Sequence, residues 1–264
     1  MSVTLSPDHA YASGGERASR HRRPGLRRLT LIELRKMTDT RAGFWFLTAI
    51  DLLTLAVAII ASVVHHGHDG TLHHVFRATL LPSYFLLPIL GVLLIGSEYS
   101  QRTTLNTFTL VPSRPRVLAA KLGACMIIST LALGVCLVLS AVCARLLGQA
   151  PGGAGGINLL VLGQSWVYLA AAMVMGFAFG AAILVSAPAI VAYLLLPTVW
   201  ALVAGSIHAL NGVANWLDAS QALSPLSDNR LSATGWAQVL TALAVWAGVP
   251  LVIGIWRVGR GDID

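Results

Sequence analysis

Side chains that can bind a partner or do chemistry are concentrated in one polar stretch, residues 98–121, which separates two long apolar runs. Leu105 and Phe108 are three residues apart, so a short helix would present both side chains on the same side. Charged residues near either end can hold such a helix through charge-assisted hydrogen bonds. We therefore predict a docking site for a soluble partner, and the alternative is a solvated basic loop that serves only membrane topology. The candidate residues are Glu98, Thr103, Leu105, Phe108 and Arg114.

Asp51 is a second candidate, because it is the one acidic residue inside a long apolar run. An ionised carboxylate within a bilayer costs about 2.5–3.5 kcal/mol even on lenient insertion scales. Asp51 is therefore expected to face protein or water rather than lipid. Two interpretations stay open: a pathway, gate or proton-binding group, or a carboxylate bonded to a neighbouring helix or to the basic interface.

The other chemistry-bearing motifs predict neither catalysis nor a cofactor. Five histidines and one aspartate occur between His65 and His74, but the Cys and His pairs that mark structural zinc sites are absent. We interpret this segment as a solvated loop and predict no metal site. The sequence contains no Gly-x-x-x-x-Gly-Lys-Ser/Thr motif, so the chain has no P-loop for ATP phosphates. We expect no enzymatic activity and no cofactor in this chain itself.

The elements that position these residues follow from a very apolar composition. Hydrophobic residues make up 56% of the 264 positions and charged residues 11%, and the mean hydropathy is +0.73. Soluble domains have about 25% charged residues, and about 20 apolar residues in a helix cross a bilayer core of about 30 Å. Pro188 separates two of the spans, because proline suits the first turn of a helix but not its interior. We predict an all-α integral membrane protein with a six-span domain at residues 43–257, its transmembrane helices at about 44–64, 78–97, 117–146, 159–185, 188–208 and 236–256.

Segments outside these spans complete the predicted organisation. Residues 1–24 are polar and basic and are expected to be a disordered cytoplasmic tail, and residues 258–264 form a second cytoplasmic tail. Residues 25–42 carry Arg and Lys among spaced apolar residues, which predicts a helix in the membrane interface. Residues 209–235 predict a short interfacial or re-entrant helix on the outer side, with an amphipathic loop as the alternative.

Glycines in the fourth span form a small-xxx-small pattern at Gly176 and Gly180. Small residues at this spacing let two helix backbones approach each other closely. The pattern is compatible with packing inside one chain and with packing across a dimer. The sequence does not distinguish these two arrangements.

Positive charge is distributed unevenly along the chain, which has 18 Lys and Arg residues against 11 Asp and Glu residues. With the N-terminus inside, the inner segments carry nine before residue 42, four at 98–121 and two at the C-terminus. The outer segments carry only Arg77, Arg145 and Arg230. Cytoplasmic loops of membrane proteins are enriched in Lys and Arg, so both termini are predicted to be cytoplasmic. Because topology explains the charge, no nucleic-acid partner is predicted.

The stretch at 98–121 resembles the corresponding segment in the permease subunits of ABC type-2 exporters. The shared features are Glu98 at the inner end of span two, Arg102-Thr103-Thr104-Leu105, Pro112-Ser113-Arg114, and Lys121 early in span three. The six spans, the basic helix before span one and the outer segment before span six are similar to that family as well. The chain departs from the common pattern at Thr103, where many relatives have Gly, and it has no large external domain.

The resemblance implies a transport protein that depends on other subunits, and it adds Arg102, Pro112, Ser113 and Lys121 to the residues expected to couple the chain to an ATPase. Its partners would be a cytoplasmic ABC ATPase that binds ATP and Mg, a second permease copy or close relative, and membrane lipids. It implies a location in the bacterial cytoplasmic membrane and export of an apolar or amphipathic antibiotic, lipid or peptide, as in drug resistance. Two other functions stay open: an ion-coupled secondary transporter that uses Asp51, and a membrane immunity or anchor protein that transports nothing.

Overall fold

The computed structural model describes residues 25–64, 72–100, 114–147, 157–207, 211–227 and 231–260, and all regular structure in these residues is helical. A 3-10 turn at Ser224–Ser227 and a π-helical turn at Ala244–Gly248 interrupt the series of α-helices. The α-helices are α1 Leu26–Thr38, α2 Arg41–Val64, α3 Leu72–Ser100, α4 Arg114–Leu146, α5 Leu159–Ile183, α6 Ser186–Ser206, α7 Asn211–Leu217, α8 Ala219–Leu223, α9 Ala233–Leu243 and α10 Val249–Arg260.

Six helices of the described chain are long and apolar enough to cross a membrane, judged by length and composition. They are α2, α3, α4, α5, α6 and the continuous helix formed by α9, the π turn and α10. The all-α fold with six candidate membrane spans is therefore confirmed. The position of α1 in the membrane interface, within the predicted segment 25–42, stays a prediction.

The second of these helices differs from the sequence prediction, because it begins at Leu72 rather than near residue 78. Both Pro82 and Pro88 lie inside α3. Proline is tolerated inside transmembrane helices because neighbouring helices and local adjustments satisfy the freed backbone groups.

Helices α3 and α5 form the centre of the bundle. Within their membrane-crossing stretches, 67% and 72% of the residues are buried, against 17–28% for the other four candidate spans. The largest side chains that α3 and α5 bury completely are aliphatic, aromatic or Met: Phe76, Leu80, Leu87, Leu169, Met173 and Phe177. Most residues in the other four candidate spans are therefore partly or fully exposed on the outside of the bundle.

The close packing of α3 and α5 depends on glycine at the crossing point. A Cβ atom on Gly176 would overlap the backbone of Pro88, and one on Gly180 would lie 2.9 Å from the Cα atom of Val92. On the opposite helix, a Cβ atom on Gly91 would lie 2.9 Å from the carbonyl oxygen of Met173. The small-xxx-small pattern of span four thus packs inside the chain, which decides between the two arrangements left open by the sequence.

A tight corner joins the fourth and fifth spans. Leu184 adopts a left-handed conformation with φ 63°, and its N–H donates to the carbonyl of Gly180 at 2.9 Å. The next helix begins two residues later, so Pro188 lies in its first turn, where proline fits. Arg257 of α10 donates from Nη1 to the carbonyl of Ala182 at 2.7 Å. The end of α5 is therefore bound to the last span at the corner.

The segment between the fifth and sixth spans consists of α7, α8 and the 3-10 turn. The Asp218 carboxylate caps α8 by accepting from backbone N–H groups two and three residues later, at 2.8 and 3.3 Å. Leu223 and Leu226 are fully buried, and the 3-10 turn packs against α5. Trp246 donates from Nε1 to the carbonyl of Leu217 at 2.6 Å. The segment is thus bound to the bundle, and its interfacial or re-entrant location stays a prediction.

Substituting glycine at the helix crossing tests this packing. We expect Gly176→Ala to destabilise the protein by about 1–3 kcal/mol, because the added methyl group must displace the Pro88 backbone. Thermal unfolding of the detergent-purified protein, followed by tryptophan fluorescence, measures the change.

Gly163→Ala is the matched control, because Gly163 lies in the same helix with open space at its Cβ position. Alanine has a higher helix propensity than glycine, so this variant should be neutral or slightly more stable. Equal melting temperatures for the two variants would contradict the packing argument.

Candidate functional site at the α1 end of the bundle

The predicted docking stretch lies largely outside the described residues. Glu98 falls in the last turn of α3, and Arg114 is the first residue of α4. Lys121 is the one predicted site residue of this stretch whose side-chain environment is described. The residues outside the described chain are Arg102, Thr103, Leu105, Phe108, Pro112 and Ser113. Their roles stay predictions.

Lys121 lies inside the bundle near the beginning of α4, and its side chain is 4% exposed. Its ammonium group donates to Glu33 Oε2 at 2.7 Å and to the carbonyl oxygen of Leu94 at 3.0 Å. The Glu33 side chain is 6% exposed. A buried ion pair therefore joins α1 to α4, and the same lysine binds the backbone of α3.

Glu33 was absent from the candidate residues chosen by sequence. The available signal was that Glu33 is the single acid in the basic helix Leu26–Thr38. From the sequence alone, an acid among arginines is expected to be exposed and to reduce the net positive charge of the helix. Its partner is 88 residues away, so local spacing gave no indication of the pair.

The corner between α1 and α2 fixes the position of Glu33. Two residues, Asp39 and Thr40, connect the helices, and the Thr40 hydroxyl accepts from the N–H of Gly43 at 3.1 Å. A Cβ atom on Gly43 would overlap the carbonyl oxygen of Met37, so only glycine permits this close turn. Beyond the corner, α1 packs mainly along α4. The backbone thus holds the Glu33 side of α1 against the bundle.

The charges around Glu33 are unequally buried. Lys36 also donates to Glu33, at 2.8 Å from Nζ to Oε1, but its side chain is 43% exposed. Solvent screens such an exposed pair, whereas removing one member of a buried pair leaves an uncompensated charge inside the protein. The pair with Lys121 is therefore the one that fixes the helix.

Asp51 lies in α2 beside the buried stripe that includes Ile50 and Thr54. Its side chain is exposed, and it makes no hydrogen bond or ion pair with any residue that the structure describes. The structure therefore does not pair Asp51 with Lys121, and Asp51 has no hydrogen bond to a neighbouring helix among the described residues. Of the two interpretations, bonding to a neighbouring helix finds no support among the described residues.

The histidine-rich segment is only partly described. His73 and His74 begin α3, with ring centroids 6.2 Å apart, whereas His65, His66 and His68 lie outside the described residues. In the part of the chain that the structure covers, no three His, Cys, Asp or Glu side chains group closely enough to hold a metal ion.

Single substitutions at the ion pair test its contribution to stability. We expect Glu33→Gln to destabilise the protein by about 3–5 kcal/mol, because the buried Lys121 ammonium loses its counter-charge. Lys121→Met should cost less, since Glu33 keeps its bond to Lys36. The Glu33→Gln/Lys121→Met double variant should recover much of the loss because neither charge remains. Equilibrium unfolding in mixed micelles measures all three.

Lys36→Met is the matched control, because it removes the exposed partner of the same glutamate. Its effect should stay below about 1 kcal/mol. Additive losses in the double variant would contradict a direct interaction between Glu33 and Lys121.

Comparison of the sequence with known proteins gives no matching protein-family model and no matching curated relative.

Proposed function

We propose that this chain is the membrane-spanning permease subunit of an ATP-driven exporter of the ABC type-2 class. A separate cytoplasmic ATPase would bind ATP and Mg and hydrolyse the nucleotide. The observation that carries the proposal is the polar stretch at 98–121, with its Leu105 and Phe108 pair and its resemblance to the permease segment. The chain itself supplies the membrane pathway and the docking surface.

The arrangement of the helices supports a docking role for this stretch. The stretch connects the end of α3 to the beginning of α4, the same end of the bundle at which Glu33 of α1 pairs with Lys121. Most Lys and Arg residues of the sequence belong to segments at this end, which is cytoplasmic under the positive-inside rule. A soluble ATPase in the cytoplasm would reach the stretch without crossing the bilayer.

Exposed surface supports assembly with a second permease copy or a close relative. Four of the six candidate spans bury only 17–28% of their membrane-crossing residues within the subunit. Helix α2, one of these four spans, carries Asp51, and a charged carboxylate is unfavourable in contact with lipid. We assign Asp51 to a translocation pathway between subunits, where water or the second subunit covers the carboxylate. ATP binding and hydrolysis would shift the assembly between access states by differential contacts with the ATPase.

An ion-coupled secondary transporter is the second candidate, and the exposure of Asp51 is the observation that favours it. In that case Asp51 would bind a proton or a sodium ion, and no ATPase would be required. A membrane immunity or anchor protein would require neither the ATPase nor Asp51. Co-purification of an ATP-hydrolysing subunit from the bacterial cytoplasmic membrane separates the exporter from both alternatives.

Replacing the two apolar residues of the docking stretch tests the exporter. We expect the Leu105→Ser/Phe108→Ser protein to insert normally but to lose ATPase co-purification. The reason is that the two apolar side chains would supply a large part of the binding free energy if they dock into the ATPase. A loss of about 2 kcal/mol corresponds to roughly 30-fold weaker association. Quantitative pull-down from membranes measures the association, and substrate-stimulated ATPase activity measures coupling.

Val213→Ser/Trp216→Ser is the matched control, because these two residues are likewise apolar and three positions apart, and they are exposed on α7 at the opposite end of the bundle. The control should retain ATPase binding. Full ATPase binding and transport in Leu105→Ser/Phe108→Ser would exclude the stretch as a coupling element.

Removing the charge of Asp51 tests the pathway assignment. We expect Asp51→Asn to preserve insertion and ATPase association but to reduce the transport rate. The reduction should be about tenfold or more, because the variant loses one charge-assisted interaction. Asp39→Asn, which removes an exposed acid outside the candidate spans, should leave transport unchanged. Unaltered transport in a well-expressed Asp51→Asn protein would remove Asp51 from the pathway.

A further inference from the structure

We propose that α1 binds anionic phospholipid headgroups through its outward face, which we define as Arg27, Arg28, Leu31, Ile32 and Arg35. All five residues are exposed. The opposite side of α1 buries Glu33 and Met37 in the bundle. The proposal concerns a lipid site on the chain alone, and it holds whether or not an ATPase drives transport.

The three arginines give the outward face a strong positive charge. The single acid of α1, Glu33, points into the bundle, where Lys121 neutralises it at 2.7 Å. It therefore does not offset the arginines on the other side. Lys36 and Arg41 add exposed positive charge nearby, and Asp39, just after the helix, is the exposed acid in this region. Among the described residues, no ion pair joins Asp39 to any of the three arginines.

The position of α1 along the candidate spans supports a headgroup-level location for this face. Lys121, which Glu33 binds, lies five residues inside the candidate span Arg116–Leu146, about 7.5 Å at the helical rise. Leu94, whose carbonyl binds the same lysine, lies two residues inside the span Leu72–Gly96. In addition, only two residues separate α1 from α2. Helix α1 thus lies beside the inner ends of the spans, rather than beyond them in the cytoplasm.

The chemistry of the face fits a phospholipid rather than a soluble protein. Guanidinium groups bind phosphate through paired hydrogen bonds, which suits Arg28 and Arg35 at headgroup depth. Leu31 and Ile32 are 47% and 44% exposed on the same face, and aliphatic side chains at that depth can insert at the acyl boundary. A helix that lies along the sides of the candidate spans would offer this mixed surface to the surrounding lipid. The occupant is therefore an anionic phospholipid of the leaflet on the α1 side.

Native mass spectrometry of the purified full-length chain tests the site, with phosphatidylglycerol and phosphatidylcholine as probes. We expect the unmodified chain to retain phosphatidylglycerol preferentially, and salt to weaken that retention. Arg28→Gln/Arg35→Gln should lower phosphatidylglycerol affinity about 30-fold, taking roughly fivefold for each basic residue. Arg28→Lys/Arg35→Lys should keep most of the affinity, which shows that the Gln variant does not act through loss of folding.

Arg145→Gln is the matched control, because Arg145 is exposed at the other end of α4. It should leave phosphatidylglycerol retention nearly unchanged. Equal retention of both lipids, or equal losses in the Gln variants at the two ends, would overturn the proposal. So would an Arg28→Gln/Arg35→Gln protein that keeps phosphatidylglycerol but loses an associated ATPase, since the face would then bind a protein.

Discussion

Glu33 and Lys121 form a buried ion pair on which the arrangement of the α1 end of the bundle depends. Both side chains are almost completely buried, and the lysine also binds the carbonyl of Leu94. One ammonium group thereby connects α1, α3 and α4. Because either charge alone would be strongly unfavourable inside the protein, the pair forces α1 to keep one side towards the bundle. That orientation decides which residues of α1 face outward.

The rest of the bundle is organised around the contact between α3 and α5. In a bilayer, helices gain little from burying apolar surface, so close packing of small residues becomes the main attraction. Gly176 and Gly180 permit that packing against Pro88 and Val92. The remaining spans surround this pair with mostly exposed apolar faces. Such a subunit is suited to contacts with lipid and with a second membrane subunit.

The Glu33–Lys121 ion pair and the packed helices around it join the regions to which we assign functions. The docking stretch begins and ends on α3 and α4, the same helices that Lys121 joins to α1. A partner that displaced either helix would therefore also act on α1 and on the arginines that we propose bind lipid. Helix α1 continues after two residues into the span that carries Asp51. The ion pair thus lies on a continuous path of packed elements between the docking stretch and the proposed pathway.

The sequence by itself determined the properties that depend on local composition. Runs of about 20 apolar residues predicted six candidate spans, and Pro188 predicted the break between the fourth and fifth, because bilayer thickness and proline geometry act locally. The sequence did not predict that the second span begins at Leu72 and contains two prolines, because neighbouring helices decide whether proline is tolerated inside a span. Leu105 and Phe108 remain sequence predictions. Only the tertiary structure decided that Glu33 pairs with Lys121, that Gly176 packs within the chain and that Asp51 faces outward, since each depends on residues far away in sequence.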